Sequence, residues 1–305
     1  MLSRWWTYQR ERFPVLAHAP LIAAFSLSSV TCSALLRDPE ASPRWSSWVV
    51  AFVVSFTLFV QLRVADEFKD AEEDAAHRPY RPVPRGLVTL RELGVVFAAG
   101  LVVQLAATLW LDVRLLVLLG VTWAYLTAMC AEFRVRAWLK ARPVIYMASH
   151  MLILPVVDGF ATACDWVPVV GVSWPPWGVL PFLLGSLANG FVVEIGRKLR
   201  AAADEEPGVE TYSKLWGPRR ATRAWAACLV VAYGLALVAA SQVGWLLGAA
   251  AVLTPAVAVL LWVGRRYVTL GTTAAAGRVE PAVFVWTLLM YLSLGPIPWL
   301  VRLLT

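Results

Sequence analysis

The sequence predicts an all-α, polytopic membrane protein with about nine transmembrane helices. Hydrophobic residues make up 59% of the 305-residue chain and charged residues only 15%, whereas soluble domains are about one quarter charged. Apolar runs long enough to cross ~30 Å of hydrocarbon recur from one end of the chain to the other. In so apolar a chain we expect helices, because a helix satisfies all of its own backbone polar groups inside lipid.

Nine apolar runs define the predicted spans. They cover residues 15–36, 46–65, 93–111, 114–131, 143–162, 177–196, 224–241, 243–263 and 281–303. Polar or proline residues interrupt the fourth and fifth runs, so the ends of these two spans are less sharply defined. The sixteen tryptophans suit anchoring at the membrane interface.

The basic residues indicate how the spans are oriented. With nine spans, one side of the membrane holds the N-terminus and the loops at about 63–92, 132–142, 196–223 and 264–280. That side carries 23 of the 27 Lys and Arg residues. Because cytoplasmic loops are enriched in Lys and Arg, we expect this side to be cytoplasmic, in a bacterial-type inner (plasma) membrane. The net charge of +7 is therefore a topology signal, and nucleic-acid binding is not expected.

The acidic residues cluster in two short segments. Of the twenty Asp and Glu residues, six lie in 66–74 and five in 194–210. These segments follow the second and the sixth span, which lie four spans apart. The spacing predicts one domain over residues 1–305, built from two pseudo-repeated four-helix units and one extra helix around a central cavity. Internal repeats of this kind often place a ligand at the interface between the halves.

The first acidic segment carries Asp66, Asp70 and Asp74, spaced four residues apart. On a helix this spacing forms one slanted stripe, with neighbours ~6 Å apart along the axis. Like charges at this spacing repel each other, which a bound cation would relieve. Mg²⁺ is the natural candidate, because proteins hold it with one or two carboxylates plus substrate phosphates. The alternative is a solvated helix end that water, Lys69 or Arg63 neutralises.

A stiff basic loop follows the stripe. Three prolines prevent a helix in "RPYRPVPRG", residues 78–86. The loop would hold Arg78 and Arg81 near the carboxylates. Guanidinium groups bind phosphate through paired hydrogen bonds, so metal-binding acids followed by fixed arginines suit a metal–phosphate complex.

This stretch resembles the first signature of the UbiA-type intramembrane prenyltransferase superfamily, which includes terpene cyclases. That signature reads N/D-D-x-x-D-x-x-x-D, followed by R-P-x-R-P-x-P-x-G. Here Asp66, Glu67, Asp70 and Asp74 occupy its acidic positions. Nine spans, with acidic motifs after the second and sixth, extend the resemblance over essentially the whole chain. The resemblance implies a prenyl diphosphate substrate, an Mg²⁺ cofactor and a metal role for the three aspartates.

The second acidic segment departs from the family pattern. Members of the family usually carry D-x-x-x-D and then G-x-x-T at the end of the sixth span. Here Asp204, Gly208 and Thr211 keep the D-x₃-G-x₂-T spacing, but Arg200 stands four residues before the aspartate. A conventional second metal site is therefore in doubt.

Other charges in this segment could replace the missing acid. Glu194 and Asp204 are the candidate catalytic carboxylates and metal ligands, while Arg197 and Lys198 are candidate diphosphate counter-charges. Alternatively, Glu194 and Lys198 form an ordinary i, i+4 salt bridge.

A third basic loop completes the candidate site. Lys140 and Arg142 in "FRVRAWLKARP" match an L-K-x-R-P-like element that often follows the fourth span in this family. They could hold the diphosphate, although a cytoplasmic loop would be basic in any case.

The resemblance implies an enzyme that ionises an allylic prenyl diphosphate and transfers the prenyl group to a hydroxyaromatic or other lipophilic acceptor. Cyclisation of the same class of substrate, as in the terpene cyclases of the superfamily, is the alternative. A transporter for a cation or an organic ion is a further alternative. Transporters hold their ligands near the bilayer midplane, whereas these acids collect at the predicted span ends.

Overall fold

The computed structural model describes residues 2–171 and 175–304, and within them every regular element is helical. The α-helices are α1 Leu2–Arg12, α2 Val15–Arg37, α3 Trp45–Lys69, α4 Ala71–His77, α5 Leu90–Leu111, α6 Leu116–Cys130, α7 Arg136–Lys140, α8 Pro143–Met151, α9 Ile153–Val170, α10 Val179–Gly196, α11 Tyr212–Trp216, α12 Pro218–Gln242, α13 Leu246–Leu270, α14 Thr273–Ala276, α15 Val279–Leu294 and α16 Pro296–Leu304. Short 3₁₀ turns cover Val113–Leu115, Glu132–Arg134 and Ala202–Asp204.

Eight segments of the described chain are long and apolar enough to cross a membrane. They are Val15–Arg37, Trp45–Lys69, Leu90–Leu111, Val113–Cys130, Pro143–Val170, Val179–Gly196, Pro218–Gln242 and Leu246–Leu270. A ninth candidate joins Thr273–Leu294 to Pro296–Leu304 with a bend of 46° at Gly295. At the bend, a Cβ on Gly295 would lie 2.7 Å from the carbonyl oxygen of Ser28, so this close approach to α2 requires glycine. These segments confirm the predicted all-α membrane bundle.

The spans close into a ring. Each span contacts the next along the chain, from α2 with α3 through to α13 with α15, and α15 packs back against α2. The tight pair α3 and α5 in the first half corresponds to α10 and α12 in the second half. Both pairs join the span that carries an acidic segment to the span that follows it, as the predicted pseudo-repeat requires.

Local signals set where several spans begin. Before α5, the Thr89 hydroxyl accepts a hydrogen bond from the backbone N–H of Glu92, and the Glu92 carboxylate accepts one from the backbone N–H of Thr89. This reciprocal capping satisfies two of the free N–H groups at the helix start. Pro143 and Pro218 stand at the first turns of α8 and α12, where a missing N–H does no harm.

The fifth span is longer than predicted, Pro143–Val170 instead of 143–162, and it contains two buried carboxylates. Asp158 accepts a hydrogen bond of 2.7 Å from Ser29 of α2. Two turns further along the helix, Asp165 accepts hydrogen bonds from Ser33 at 3.0 Å and from Arg37 at 3.2 Å. Groups of α2 thus contact both buried acids, and the helix continues past them to Val170.

The first helix, α1, lies across one end of the bundle. Arg12 forms an ion pair of 2.5 Å with Glu67 near the end of α3, and Arg4 forms one of 2.5 Å with Glu92 on α5. The segments that follow the second, fourth and sixth spans meet at this same end, which we call the site end.

Candidate active site

A cavity of about 600 Å³ opens at the site end, between the two halves of the bundle. Most of the residues singled out in the sequence line it: Asp66, Asp70, Arg78, Arg81, Lys140, Glu194, Arg197, Lys198 and Asp204. The other two, Asp74 and Arg142, are outside its lining. The fold therefore brings both acidic segments and three basic segments to one space.

The predicted acidic stripe is split by a break in the helix. Asp66 lies in the last turn of α3, and Asp70 caps the end of that helix, where its backbone N–H donates to the carbonyl of Asp66 at 2.9 Å. The chain then continues as α4, which carries Asp74. The break leaves the first two carboxylates on the cavity wall and turns the third one behind it.

The two cavity carboxylates have little positive charge next to them. Asp66 is about half exposed, and its nearest cation is Arg63 at 3.7 Å. Within the residues that the structure describes, no Lys or Arg forms a salt bridge with Asp70. Burial, followed by the charges of Asp66 and Asp74, raises the pKa of Asp70 above its ordinary value. This wall therefore carries uncompensated negative charge, which a cation would relieve.

Asp74 instead holds the arginine loop in place. Its side chain is 2% exposed, Arg78 Nη2 lies 2.8 Å from Oδ1, and Arg81 Nη1 donates to Oδ2 at 2.6 Å. Arg12 Nη2 of α1 lies 4.0 Å from the same carboxylate. Both loop arginines also line the cavity. The buried acid therefore holds the guanidinium groups of two arginines that face the cavity.

The second acidic segment uses its buried carboxylate in the same way. Glu194 lies in the last turn of α10 and is 7% exposed. Its Oε2 accepts from Arg197 at 2.6 and 2.7 Å, and its Oε1 lies 2.8 Å from Lys198 Nζ. Both carboxylate oxygens are therefore engaged by cations, and Arg197, Lys198 and Arg200 make this wall of the cavity basic.

The loop after α10 closes towards α4 and the arginine loop that follows it. Asp204 lines the cavity and accepts a hydrogen bond of 2.9 Å from Thr273. Gly208 has a φ of +76°, which favours glycine, and it packs against the ring of His77 on α4. Tyr80 donates to Glu206 at 3.0 Å, which joins the two loops over the cavity.

The third basic loop contributes one of its two predicted residues to the cavity wall. Lys140 Nζ lies 3.5 Å from Glu73 Oε2 and lines the cavity. The Arg142 guanidinium lies over the ring of Trp138 at 4.5 Å and donates to the Trp138 carbonyl. That position keeps Arg142 outside the cavity lining.

Comparison with known proteins identifies the family. The model of the UbiA prenyltransferase family matches residues 26–288, which include both acidic segments. The chain belongs to the UbiA prenyltransferase family. No curated protein sequence matches this UbiA-family chain.

Two solved structures share the fold of this UbiA-family protein. One is the apo structure of a UbiA homolog from Aeropyrum pernix K1, at 18% identity and a TM-score of 0.64, covering 94% of this chain and 98% of the homolog. The other is a structure of digeranylgeranylglyceryl phosphate synthase, at 16% identity and a TM-score of 0.59, covering 97% and 99% of the two chains. At these identities the likeness establishes the fold and leaves the substrate of this UbiA-family protein open.

The cavity residues suit Mg²⁺ chemically. Carboxylate oxygens are hard ligands, and Asp66 and Asp70 offer theirs to the cavity without a tight ion pair. In residues 2–171 and 175–304 no three His, Cys, Asp or Glu side chains are arranged to hold a metal ion by themselves. Mg²⁺ is typically held by one or two carboxylates, while water and substrate phosphate supply its other ligands.

The structure also brings in residues that the sequence motifs did not single out as ligands. Lys69 extends from α3 to a wall formed by Glu132, Tyr146 and His150, all of which line the cavity. Arg12 reaches the first acidic segment from α1. The partners of Lys69 and of Arg12 lie dozens of residues away in the chain, so no local spacing in the sequence predicts these contacts.

Proposed function

We propose that this UbiA-family protein is an Mg²⁺-dependent intramembrane prenyltransferase. In this proposal it ionises an allylic prenyl diphosphate and transfers the prenyl group to a hydroxyaromatic or other lipophilic acceptor. The observation that supports it most is the charge arrangement of the cavity. Asp66 and Asp70 line one wall without a tight ion pair, while Arg197 and Lys198 line another.

The residues divide into two roles under this proposal. Asp66 and Asp70 would hold the metal, and Asp204 is a further candidate on the opposite loop. Asp74 and Glu194 also stay candidate metal ligands from the sequence pattern. Their observed contacts with arginine and lysine support the role of anchoring those cations.

The cations would bind the diphosphate. Arg78 and Arg81 would approach it from one side and Arg197 and Lys198 from the other, with Lys140 at the rim. Arginine forks match phosphate oxygens in pairs. Because Asp74 and Glu194 already fix these side chains, little conformational entropy would be lost when they bind substrate.

The reaction then follows from charge. The allylic C–O bond breaks, its electron pair leaves with the diphosphate oxygen, and the basic side chains stabilise the negative charge that develops there. Bound Mg²⁺ would supply Lewis-acid stabilisation of the same leaving group. A carbon of the acceptor ring donates an electron pair to the allylic cation, a new C–C bond forms, and the ring loses a proton to the diphosphate or to water.

Product analysis tests the proposal. The purified full-length protein would be incubated with Mg²⁺ and prenyl diphosphates of several chain lengths, with and without phenolic acceptors, and an Asp66→Asn/Asp70→Asn variant would serve as the inactive control. We expect a prenylated acceptor and release of diphosphate that depends on Mg²⁺. A cyclic hydrocarbon or alcohol formed without acceptor would instead indicate a terpene cyclase. No diphosphate release from any substrate would contradict the proposal.

Orientation in the membrane is part of the same proposal. The bias of Lys and Arg towards the site end supports placing that end on the cytoplasmic side of a bacterial-type plasma membrane. The soluble diphosphate group would then enter from the cytoplasm, while the prenyl tail stays in the apolar part of the bundle.

A further inference from the structure

Lys69 lies within the first acidic segment but forms no ion pair with any carboxylate of that segment. A lysine three residues after Asp66 would ordinarily pair with it along the helix. Instead its Nζ contacts three side chains from the segment after α6 and from α8, which we call the ammonium cradle: Tyr146 Oη at 3.0 Å, His150 Nε2 at 3.2 Å and Glu132 Oε1 at 3.5 Å.

The ammonium cradle gives Lys69 two hydrogen bonds and one ion pair. His150 Nδ1 lies 2.8 Å from the backbone carbonyl of Tyr146. A carbonyl only accepts, so Nδ1 carries the ring proton and Nε2 presents its lone pair to the ammonium. The Tyr146 hydroxyl accepts from Lys69 and donates to Glu132 at 3.3 Å. Two hydrogen-bond acceptors and one carboxylate therefore surround the ammonium, and the rings of Tyr146 and His150 stack 4.1 Å apart.

The backbone that presents Glu132 is strained. Glu132, Phe133 and Arg134 have φ values of 46°, 53° and 59°, in the left-handed region that side chains other than glycine rarely adopt. This turn ends the fourth span and directs the Glu132 side chain, which is 6% exposed, towards the cavity wall and Lys69. Consecutive residues in such a conformation persist only where surrounding contacts hold them, and they concentrate at functional sites.

We propose that the ammonium cradle holds Lys69 away from Asp66 and Asp70, and so keeps both carboxylates available to a divalent cation. Asp66 keeps only the 3.7 Å contact with Arg63, and Asp70 forms no salt bridge within the part of the chain that the structure describes. An ammonium released from the cradle would be drawn to these uncompensated charges and would compete with the metal. The inference rests on the metal role proposed above and assigns the cradle residues as positioning residues.

Metal affinity tests the cradle directly. Mn²⁺ binding to the detergent-solubilised full chain would be titrated by electron paramagnetic resonance in the presence of inorganic diphosphate. Glu132→Gln keeps the shape of the side chain but removes the charge that attracts Lys69. We expect it to weaken Mn²⁺ binding about ten-fold, as the release of a competing cation beside a partly buried carboxylate pair implies. Glu11→Gln, which breaks an exposed ion pair with Arg85 at the same end, is the matched control and should not alter binding.

Rescue separates this role from a structural one. In the Glu132→Gln background, Lys69→Met removes the competing charge and should return Mn²⁺ affinity to within about two-fold of wild type, since the two changes couple through one contact. If the Glu132→Gln protein does not fold, the test is repeated with Tyr146→Phe, which removes only one oxygen atom from the cradle. Mn²⁺ affinity is then compared for Tyr146→Phe alone and together with Lys69→Met.

The outcomes are distinguishable. A wild-type protein that binds no Mn²⁺ would refute the metal role itself. Equal binding by wild type and Glu132→Gln would refute the cradle, and weakened binding that Lys69→Met does not restore would show that Glu132 supports the site without diverting Lys69.

Discussion

The two acidic segments face one cavity, but next to their spans they present opposite charges to it. After the second span, Asp66 and Asp70 line the cavity with carboxylates that no tight ion pair neutralises. After the sixth span, the carboxylate of Glu194 is buried and the cavity wall is formed by Arg197 and Lys198. Sequence composition alone makes the segments look alike, since both are rich in acid.

Both segments nevertheless share one structural feature, a buried carboxylate that forms ion pairs with two cations. Asp74 holds Arg78 and Arg81 in the first segment, as Glu194 holds its two cations in the second. The first segment adds two carboxylates to the cavity wall, Asp66 and Asp70, whereas the second adds Asp204, which accepts a hydrogen bond from Thr273. The pseudo-repeat thus explains the two anchored cation pairs, and under the proposed function most of the metal-binding carboxylates lie on one side. Four predictions test this asymmetry.

Asp70→Asn should have the largest effect. The Asp70 carboxylate has no cation partner. Its removal should lower turnover, measured as diphosphate release, at least about 100-fold, a loss of about 2.7 kcal/mol in transition-state stabilisation. The free energy of unfolding should stay the same or rise, because the raised pKa of Asp70 shows that its ionised form is disfavoured in the folded protein. Asp112→Asn, which breaks an ion pair with Arg114 far from the cavity, is the control. An Asp70→Asn protein retaining more than about a tenth of the wild-type rate would refute the metal role.

Asp74→Asn should damage stability more than metal binding. Removing one partner of a buried ion pair costs about 3 kcal/mol, because the remaining charge stays buried without compensation. We expect a clear drop in the midpoint of thermal unfolding and a raised KM for prenyl diphosphate, with Mn²⁺ affinity changed less than in Asp70→Asn. Glu72→Gln, an exposed residue of α4, is the control. If Asp74→Asn abolished Mn²⁺ binding in a stably folded protein, the acid would belong with the metal ligands.

The sequence was sufficient for the fold because its signals are local. Apolar runs and loop charges determine the spans, and the observed helices agree with most predicted ends. The fifth span shows the limit: it was predicted to end at residue 162, but it continues to Val170, and within it hydroxyl and guanidinium groups of α2 bind Asp158 and Asp165. Such partners lie more than one hundred residues away, so no periodicity reveals them.

The sequence predicted which residues form the site better than it predicted which way their side chains face. The spacing predicted that Asp66, Asp70 and Asp74 form one stripe on a continuous helix. The helix instead breaks after Lys69, and the break places Asp74 behind the cavity wall. The same spacing argument left open whether Lys69 neutralises the stripe. Only the tertiary structure shows that its ammonium extends to another wall.

Arg81→Lys should have a smaller, specific effect. The substitution keeps the charge and the positive-inside bias, so orientation in the membrane should be unchanged. It removes the planar fork that can contact Asp74 and a phosphate together. We expect KM for prenyl diphosphate to rise about ten-fold, as the loss of one charge-assisted hydrogen bond of about 1.5 kcal/mol implies. Arg91→Lys, an exposed arginine at the same end, is the control, and equal kinetics for both variants would show that the loop supplies charge alone.

Glu194→Gln should have the smallest effect and is the most direct test of the asymmetry. Because both oxygens of Glu194 already contact Arg197 and Lys198, the metal dependence should not change when the charge is removed. The two cations lose their anchor, so KM for prenyl diphosphate should rise about three-fold, the size expected for partly exposed ion pairs. The measurement is an Mg²⁺ titration of initial rate at several substrate concentrations, with Lys198→Gln as a companion that should raise KM in the same way. A shift of the Mg²⁺ midpoint in Glu194→Gln alone would make Glu194 a metal ligand, and the two acidic segments would then act alike.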